Sequence, residues 1–430
     1  MRAVLLLMVM FAAQPAEAKV TFDWITIDDP GNACKEDSRG CHGAVPYVYL
    51  INKFELTNAQ YAEFLNAVAS GDSDRLYAEY SLEQWRGIEI AGTPGNFSYH
   101  LKSGYERKPK LHVSYVNALR FANWLHNGQP IGAQDDSTTE DGAYTITAQA
   151  VADKSITRNR GARFFVTSED EWFKAAYYDR ELSDYWFYPT RSARTTRCAP
   201  PSDELNTANC DHVVGYIQTG PNSYINSDMS PVTDVGAYTN SASPYGTFDQ
   251  GGNAAEWLDG AYKTFPSGTI YLRRRGGSYT TRNIELRSFA ILRYVSRLTV
   301  GISTSARIAR IPELEIDIDP DSNSNMVNLS SARRLISVAI VGTDEFDAAE
   351  VDPHSLEFGP ERAHPAHRQG GHLEDINDDG YVDLISHFRA NDTGIAFGDS
   401  EAGITGETSG GTPLLGCDYI ETRSADSFVP

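Results

Sequence analysis

The sequence predicts an irregular α+β domain at residues 19–311, followed by a small all-β, sandwich-like domain at residues 312–430. Three observations support this division. The chain has 430 residues, which exceeds the size of one ordinary domain. Up to residue 311, short aromatic segments alternate with turn residues, and few segments have a helical period. Beyond Pro312, an acidic stretch leads into strand-like segments.

Residues 1–18 have the pattern of a secretory signal peptide. Arg2 precedes an apolar run at 3–13, and Ala16-Glu17-Ala18 is a cleavage pattern before Lys19. No later stretch approaches the roughly 20 apolar residues of a membrane-spanning helix. We therefore expect a mature protein that is secreted or periplasmic and is not inserted in a membrane.

The chain is strongly acidic, with a formal net charge of −21. An acidic surface repels nucleic acid and anionic lipid, so we expect neither as a partner, whereas divalent cations suit it. Selection for solubility also produces acidic surfaces, and it explains most of this excess by itself.

The cysteines predict two short disulfide-closed loops. Cys34 and Cys41 are close in sequence, as are Cys198 and Cys210, and disulfides form in oxidising compartments. Cys417 is left over and is a candidate for an intermolecular disulfide.

Three segments of the first domain carry helix signals. Thr57 is an N-cap before an apolar stripe at residues 58–68. Ser114 precedes a second helical run, which stops at Asn127-Gly128. A capping-box pattern that includes Ser168 and Glu171 begins a third helix near residue 169.

In the second domain, residues 334–341 and 382–388 are typical of strands, and residues 418–422 are a candidate closing strand. Residues 403–416 are rich in glycine and predict turns. A small antiparallel sandwich accommodates these elements most simply.

A calcium-loop pattern precedes the second of these strands. Oxygen-bearing side chains recur at alternate positions, a glycine stands where the loop must bend, and a backbone carbonyl completes the set. The proposed ligands are Asp375, Asn377, Asp379, Asp383 and the carbonyl of Tyr381. Ser386 stands where a complete EF-hand has its bidentate glutamate, so the loop resembles the dockerin-like and thrombospondin-type calcium loops of extracellular proteins. A solvated acidic turn is the alternative interpretation.

Several ordered motifs between residues 20 and 311 resemble the formylglycine-generating enzymes, also called sulfatase-modifying factors. Residues 53–64 resemble their E-V-T-N-x-x-Y-x-x-F helix, and residues 163–176 resemble R-L-P-T-E-A-E-W-E-x-A-A-R. The remaining matches are residues 112–124, 231–232, 244–249, 252–257 and 275–279. The resemblance implies a C-type-lectin-like α+β fold of low regularity.

The enzymes of this family use two cysteines beyond the Gly-Gly-Ser motif to hold copper, because Cu(I) prefers sulfur ligands. By spacing from Gly276-Gly277-Ser278, Thr281 and Leu286 occupy those positions. Neither side chain binds Cu(I) or exchanges a disulfide. We therefore assign no catalytic residue and do not expect formylglycine generation.

The resemblance also implies calcium in the first domain. The positions that match the family's calcium motif are Asp249, Gly252, Ala254 and Glu256. A second family site begins at an Ala-Asn pair that resembles Ala208-Asn209, with an aspartate further on that corresponds to Asp228. Turn and surface acids without a cation are the alternative.

Three functional hypotheses follow. The first is a secreted, non-catalytic recognition module for a carbohydrate or an extracellular protein or peptide, with Trp85, Tyr99, Tyr105 and Tyr262 as candidate aromatic contacts. The second is an enzyme of changed chemistry, in which the run 273–275 of arginines faces an anionic substrate and a buried polar cluster includes Ser278, Arg282 or Glu285. The third is a structural subunit of an extracellular matrix or fibre that self-associates, with Cys417 as a cross-link.

Overall fold

The structure, a computed structural model, describes residues 19–37, 40–77, 85–219, 222–226, 229–263, 270–290, 292–294, 303–320, 322, 325–329, 334–343 and 346–423. The predicted signal peptide lies outside these residues. The described chain is mixed α and β, with many short strands and few helices. Among the described residues, none of the helices has the length and apolar composition needed to cross a membrane.

The predicted helices are confirmed. They span Asn58–Val68, Tyr115–His126 and Glu169–Tyr177, and their N-caps are Thr57, Ser114 and Ser168. Capping boxes close the first and third, because the side chains of Gln60 and Glu171 reach back to the cap backbone. A short helix at Ala148–Asp153, which lacks buried residues, was not predicted.

The apolar stripes of the first two helices meet in an aromatic cluster. Phe64 and Phe121 are perpendicular with ring centroids 5.3 Å apart, and Phe64 lies 5.2 Å from Trp124. Tyr61 stacks on Phe121 at 6.0 Å. This packing forms the centre of the first domain's core and buries all four rings.

The first domain contains two four-stranded sheets and several two-stranded pairs among the described residues. One sheet is antiparallel, in the order Trp24–Ile27, Tyr49–Asn52, Ile308–Arg310 and Phe164–Val166. The other has the order Leu292–Tyr294, Ile270–Arg275, Ala255–Lys263 and Thr304–Ser305, with only the last pair parallel. The short pairs are Lys35–Asp37 with Gly40–His42, Ile88–Ala91 with Ser98–Leu101, Tyr178–Asp179 with Asp184–Tyr185, Arg197–Cys198 with Thr207–Ala208, and Tyr216–Thr219 with Asn222–Ile225.

The described residues beyond 312, which the sequence predicts as a second domain, form sheets that share one apolar cluster. A four-stranded antiparallel sheet has the order Ile316–Ile318, Leu335–Ile340, Asp383–Arg389 and His372–Glu374. A three-stranded antiparallel sheet has the order Glu357–Phe358, Glu401–Glu407 and Pro413–Tyr419, and Met326–Asn328 pairs with Glu421–Arg423. Val338 and Phe388 from the first sheet and Ile404 from the second belong to the same cluster.

The turn-rich prediction for residues 403–416 is wrong, because Glu401–Glu407 and Pro413–Tyr419 form a regular hairpin. Gly410 and Gly411 lie in the connection between the two strands, whereas glycines within the strands provide room for neighbouring chain. A Cβ on Gly406 would lie 2.8 Å from Leu356, and one on Gly416 would lie 2.4 Å from Ile316. The glycines therefore permit close packing within a strand.

Both predicted disulfides are present, Cys34–Cys41 and Cys198–Cys210, which indicates an oxidising extracellular or periplasmic environment. Cys417 is free and half-buried in the strand Pro413–Tyr419. Burial raises the pKa of its thiol to about 12, which disfavours the reactive thiolate.

Candidate metal centres and an aromatic cleft

A buried acidic centre lies where the strand Ala255–Lys263 begins. Glu256 is completely buried, and Arg307 binds it in a bidentate manner, with Nη2 2.7 Å from Oε1 and Nε 2.9 Å from Oε2. The indole Nε1 of Trp172 also donates to Oε2, at 2.6 Å. The charge on Glu256 is therefore held by two donors that come from distant parts of the sequence.

Two further carboxyl groups share this centre. Glu55, just before the first helix, accepts hydrogen bonds from Asn253 Nδ2 and the backbone N–H of Ala254, both at 2.8 Å. Asp249 accepts from the N–H of Gly236 at 2.6 Å. Burial raises the pKa of Glu55 well above its usual value, and Asp249 and Glu256 raise it further. Burial likewise raises the pKa of Asp249 to about 6.

The carboxyl groups of Glu55, Asp249 and Glu256 thus face a single guanidinium, that of Arg307. When all three are ionised, two negative charges remain uncompensated in a dry environment, which is costly without a cation. Oε1 of Glu256 accepts a hydrogen bond from Arg307, and a carboxylate oxygen has two lone pairs. This donor set fits a hard divalent cation.

The structure brings the two predicted calcium stretches of the first domain together. The N–H of Asn253 donates to the carbonyl of Asn209 at 2.8 Å, and the two side chains are hydrogen-bonded at 3.1 Å. Gly252 has a φ of 100°, and a Cβ there would lie 2.5 Å from the Asn209 carbonyl, so this approach requires glycine. The Oδ1 atom of Asn209 is buried and has no hydrogen-bond partner among the described residues. Asp228 lies outside them.

Sequence reasoning missed Glu55, Trp172 and Arg307 as parts of this centre. Glu55 and Trp172 stand in motifs that the family resemblance had already identified, so their place in those motifs was the available signal. Arg307 stands in a segment that matches the family's closing G-F-R strand only loosely, and its partner Glu256 is 51 residues away.

The predicted loop of the second domain is folded around its own side chains. Asp375 accepts hydrogen bonds from the N–H groups of Asp379 and Gly380, at 3.2 and 3.0 Å. Asn377 Oδ1 accepts from the N–H of Asp379 at 3.1 Å, and Asp379 Oδ1 accepts from that of Tyr381 at 2.8 Å. The alternate side chains therefore turn towards the inside of the loop, as the spacing predicts.

Asp383 anchors this loop to the sheet. It is completely buried, and its two oxygens accept from the N–H groups of Gly342 and Ile376, at 2.8 and 2.9 Å. In this conformation the carboxylates of Asp375, Asp379 and Asp383 are not all within 4.8 Å of one another. Within the described ranges, the one His, Cys, Asp or Glu cluster that close is Cys34, Glu36 and Cys41, whose cysteines form a disulfide.

The positions of the family's copper cysteines do not fit copper. Thr281 donates from Oγ1 to the Ser278 carbonyl at 2.8 Å and accepts from the Ser278 N–H at 2.7 Å. Leu286 is fully buried in an apolar cluster with Tyr188 and Cys210. Neither position offers sulfur, so we derive no copper chemistry.

The groups proposed for changed chemistry do not converge on a cleft. Glu169 binds both Arg273 and Arg275, with Arg275 Nη2 at 2.8 Å, and Arg274 Nη1 donates to Thr304 at 2.6 Å. Ser278 is buried, but its Oγ contacts the neighbouring Thr280 at 3.0 Å. The Arg282 side chain is 72% exposed and lies 3.5 Å from Glu285.

An aromatic and basic cleft contains two of the predicted aromatic contacts. It encloses about 450 Å³, including the solvent at its mouth. Trp85 and Tyr105 line it, whereas Tyr99 lies in the core and the Tyr262 side chain falls outside the described part. The basic side chains that line the cleft are Arg86, Lys108, Lys110 and His112.

Lys110 is the most unusual side chain of the cleft. It is 6% exposed, its Nζ donates to the Leu111 carbonyl at 2.6 Å, and it lies 5.3 Å from the centre of the Tyr61 ring. Burial lowers the pKa of its amine to about 7. Burial, and to a smaller extent the charge of Lys110, lowers the pKa of His112 to about 3, so this imidazole is neutral.

Aromatic contacts connect the cleft to the Gly-Gly-Ser turn. Trp85 lies 6.2 Å from Tyr216, and Tyr216 lies 6.5 Å from Tyr279, which follows Ser278. His212 packs against Tyr216 at 4.5 Å. The cleft is therefore next to the segment in which the family's enzymes place their chemistry.

Comparisons with known proteins agree with the resemblance. The family model of the sulfatase-modifying factor enzyme 1-like domain matches residues 31–301, which is more than half of the chain. The chain is similar to the solved structure of CarF, at 16% identity, covering 68% of this chain and 99% of that one, with a TM-score of 0.43. It is also similar to PvdO from Pseudomonas aeruginosa (18% identity, 67% and 92% covered, TM-score 0.36) and to Treponema denticola variable protein 1 (16%, 68% and 96%, 0.35). No curated protein matches the sequence. The chain belongs to the sulfatase-modifying factor enzyme 1-like domain family.

Proposed function

We propose that this protein is an exported, calcium-binding recognition module in which the sulfatase-modifying-factor scaffold is non-catalytic. The observation that carries this proposal is Leu286. It places a buried apolar side chain where the family's enzymes have a copper-binding thiol. Thr281, at the other position, forms local hydrogen bonds with Ser278. A C-type-lectin-like first domain and a sandwich-like second domain belong to the same proposal.

Calcium would be held in two places. In the first domain, the ligands are Asp249, Glu256 and the carbonyls of Gly252 and Ala254, with Asn209 beside them. Two observations support this assignment. The buried carboxyl groups here outnumber the single guanidinium of Arg307, and Oδ1 of Asn209 has no hydrogen-bond partner among the described residues.

In the second domain, the dockerin-like loop would bind calcium through Asp375, Asn377, Asp379, Asp383 and the Tyr381 carbonyl. The hydrogen bonds that Asp375 and Asn377 accept from the loop backbone support this assignment, because they already hold the loop in a closed turn. Bound calcium would hold the loop against the strand Asp383–Arg389.

The cleft favours an anionic carbohydrate as ligand. Aromatic faces such as that of Tyr105 stack on sugars, and Arg86 and Lys108 add positive charge to a protein that is otherwise strongly acidic. Lys108 Nζ lies 5.8 Å from the centre of the Tyr105 ring, so charge and aromatic surface are adjacent. An acidic peptide has the same charge and is the alternative outcome of the test.

The test is binding of the purified mature protein to arrays of glycans and peptides, with calcium and with a chelator. Circular dichroism confirms folding in each buffer. We expect calcium-dependent binding to carboxylated or sulfated glycans that is weakened by Tyr105→Ala and Lys108→Ala. Phe187→Ala, a matched control because Phe187 is 52% exposed and does not line the cleft, leaves binding unchanged. A folded protein that binds neither class would overturn the recognition proposal.

A further inference from the structure

Three histidines gather on one face of the four-stranded sheet of the second domain. His372 is in the edge strand His372–Glu374 and is paired with Ile385 of the strand Asp383–Arg389. His387 is two residues beyond Ile385, so its side chain is on the same face, diagonal to His372. His367 lies over the same strand, because the N–H of Ala366 donates to the His387 carbonyl at 2.7 Å.

The ring positions fit metal coordination. The ring centroids of His367 and His387 are 4.9 Å apart at an angle of 89°, and those of His372 and His387 are 6.0 Å apart at 17°. Two imidazoles on one tetrahedral zinc, with Zn–N bonds of about 2.0 Å, have centroids about 5 Å apart. The observed separations bracket this value.

The surroundings of His387 favour its use as a metal ligand. Its Nδ1 atom is buried and has no hydrogen-bond partner within the described ranges. Burial, followed by the neighbouring His367 and His372, lowers the pKa of this imidazole.

We propose that His367, His372 and His387 bind Zn²⁺, with Glu374 as the fourth ligand. Glu374 Oε2 lies 3.6 Å from Nε2 of His372, two residues along the same face of the strand. Imidazole nitrogens suit zinc, whereas calcium takes oxygen ligands, so this site is chemically distinct from the loop that begins at Asp375.

Binding requires the two outer rings to turn. The ring nitrogens and the Glu374 carboxylate are not all within 4.8 Å of one another in this conformation. His367 and His372 are exposed, and exposed side chains change rotamer at little cost. The alternative interpretation is that the three imidazole rings pack against one another without binding a metal.

The experiment uses the untagged mature protein, stripped of metals and then kept in millimolar calcium so that the loop is saturated. Zn²⁺ is titrated by calorimetry, and Co²⁺ is titrated while its visible absorption reports the coordination geometry. We expect one site with the intense absorption of tetrahedral Co²⁺. His372→Ala and His387→Ala should each weaken Zn²⁺ binding by about tenfold or more.

His354→Ala is the matched control. His354 is in the same domain, its side chain is 68% exposed, and it lies 3.5 Å from Asp352 rather than in the cluster. It should therefore leave Zn²⁺ binding unchanged. Because His372 is exposed, its variant is expected to keep the circular dichroism spectrum of the parent protein.

The proposal is overturned if the protein takes up no Zn²⁺, or if the double variant His367→Ala/His372→Ala binds it as well as the parent. It is also overturned if His354→Ala weakens Zn²⁺ binding as much as His372→Ala does. None of these outcomes affects the recognition proposal, because that one is tested by ligand arrays and calcium.

Discussion

Replacing Lys110 with methionine should stabilise the first domain, by an amount that depends on pH. The pKa of this buried amine is about 7 in the folded protein, and the ordinary value for lysine is about 10.4. Between these values the unfolded chain binds a proton that the folded chain does not, so folding loses stability as the pH falls through this range. The full cost is present at and below pH 7 and vanishes above about pH 10.5.

The size of the effect follows from the same pKa values. At about 1.36 kcal/mol per pH unit, the cost near pH 7 is on the order of 4–5 kcal/mol. Lys110→Met removes this cost but also the hydrogen bond to the Leu111 carbonyl, worth about 1 kcal/mol. We therefore expect a net gain on the order of 3 kcal/mol at pH 7 that becomes a loss of about 1 kcal/mol by pH 10.5, where only the missing hydrogen bond remains.

Urea unfolding followed by tryptophan fluorescence measures this gain specifically, because all six tryptophans precede residue 258 and so report on the first domain. Lys108→Met is the control. Its amine forms an ion pair with the half-exposed Asp234, at 2.9 Å, so its loss should change stability by about 1 kcal/mol or less. An equal gain for Lys110→Met at pH 7 and pH 10 would refute the reasoning. If the buried amine serves the cleft's ligand, the stabilised variant should also bind that ligand less tightly.

Two further predictions concern the metal centres. Removing calcium with a chelator should lower the melting temperature by calorimetry and increase hydrogen exchange in residues 372–389, because a site filled to about 100 times its Kd adds about 2.7 kcal/mol. Asp379→Asn should abolish the calcium dependence of that exchange, and exchange that is the same with and without calcium in the parent would contradict the loop assignment. Glu256→Gln should cost about 3–5 kcal/mol of unfolding free energy, because it breaks the bidentate ion pair with the completely buried Arg307. A loss below about 1 kcal/mol would show that another group neutralises Arg307.

The features that were predictable from sequence are those whose physics is local. The helices beginning after Thr57, Ser114 and Ser168 are specified by a cap and the apolar residues of the next few turns. The loop that starts at Asp375 is specified by alternation within nine residues, and its backbone hydrogen bonds form within the same stretch.

The features that were missed depend on distant partners. Gly406 and Gly416 have the composition of turns, but their role is set by Leu356 and Ile316, which pack against them from other strands. In the same way, the charge of Glu256 is balanced by Arg307, and no spacing in the sequence relates the two. Single-sequence patterns describe what one segment prefers, whereas these contacts arise only when segments far apart in the chain meet.

The surroundings of Leu286 lead to a final prediction, which tests whether the family's chemistry can simply be restored. Leu286 shares its apolar cluster with Cys210, and Cys198, the disulfide partner of Cys210, packs against the same cluster. Leu286→Cys would therefore place a thiol beside a disulfide. A thiolate at this position attacks the disulfide to form a mixed disulfide and is then not available to bind copper. We expect a loss of about 1–3 kcal/mol from the smaller side chain, together with mixed pairing of residues 198, 210 and 286 in peptide mass maps. Leu286→Ala isolates the packing loss, because it adds no thiol. If the Leu286→Cys variant keeps only the Cys198–Cys210 disulfide, the disulfide is shielded from position 286. A thiol at that position would then be free to act as a metal ligand.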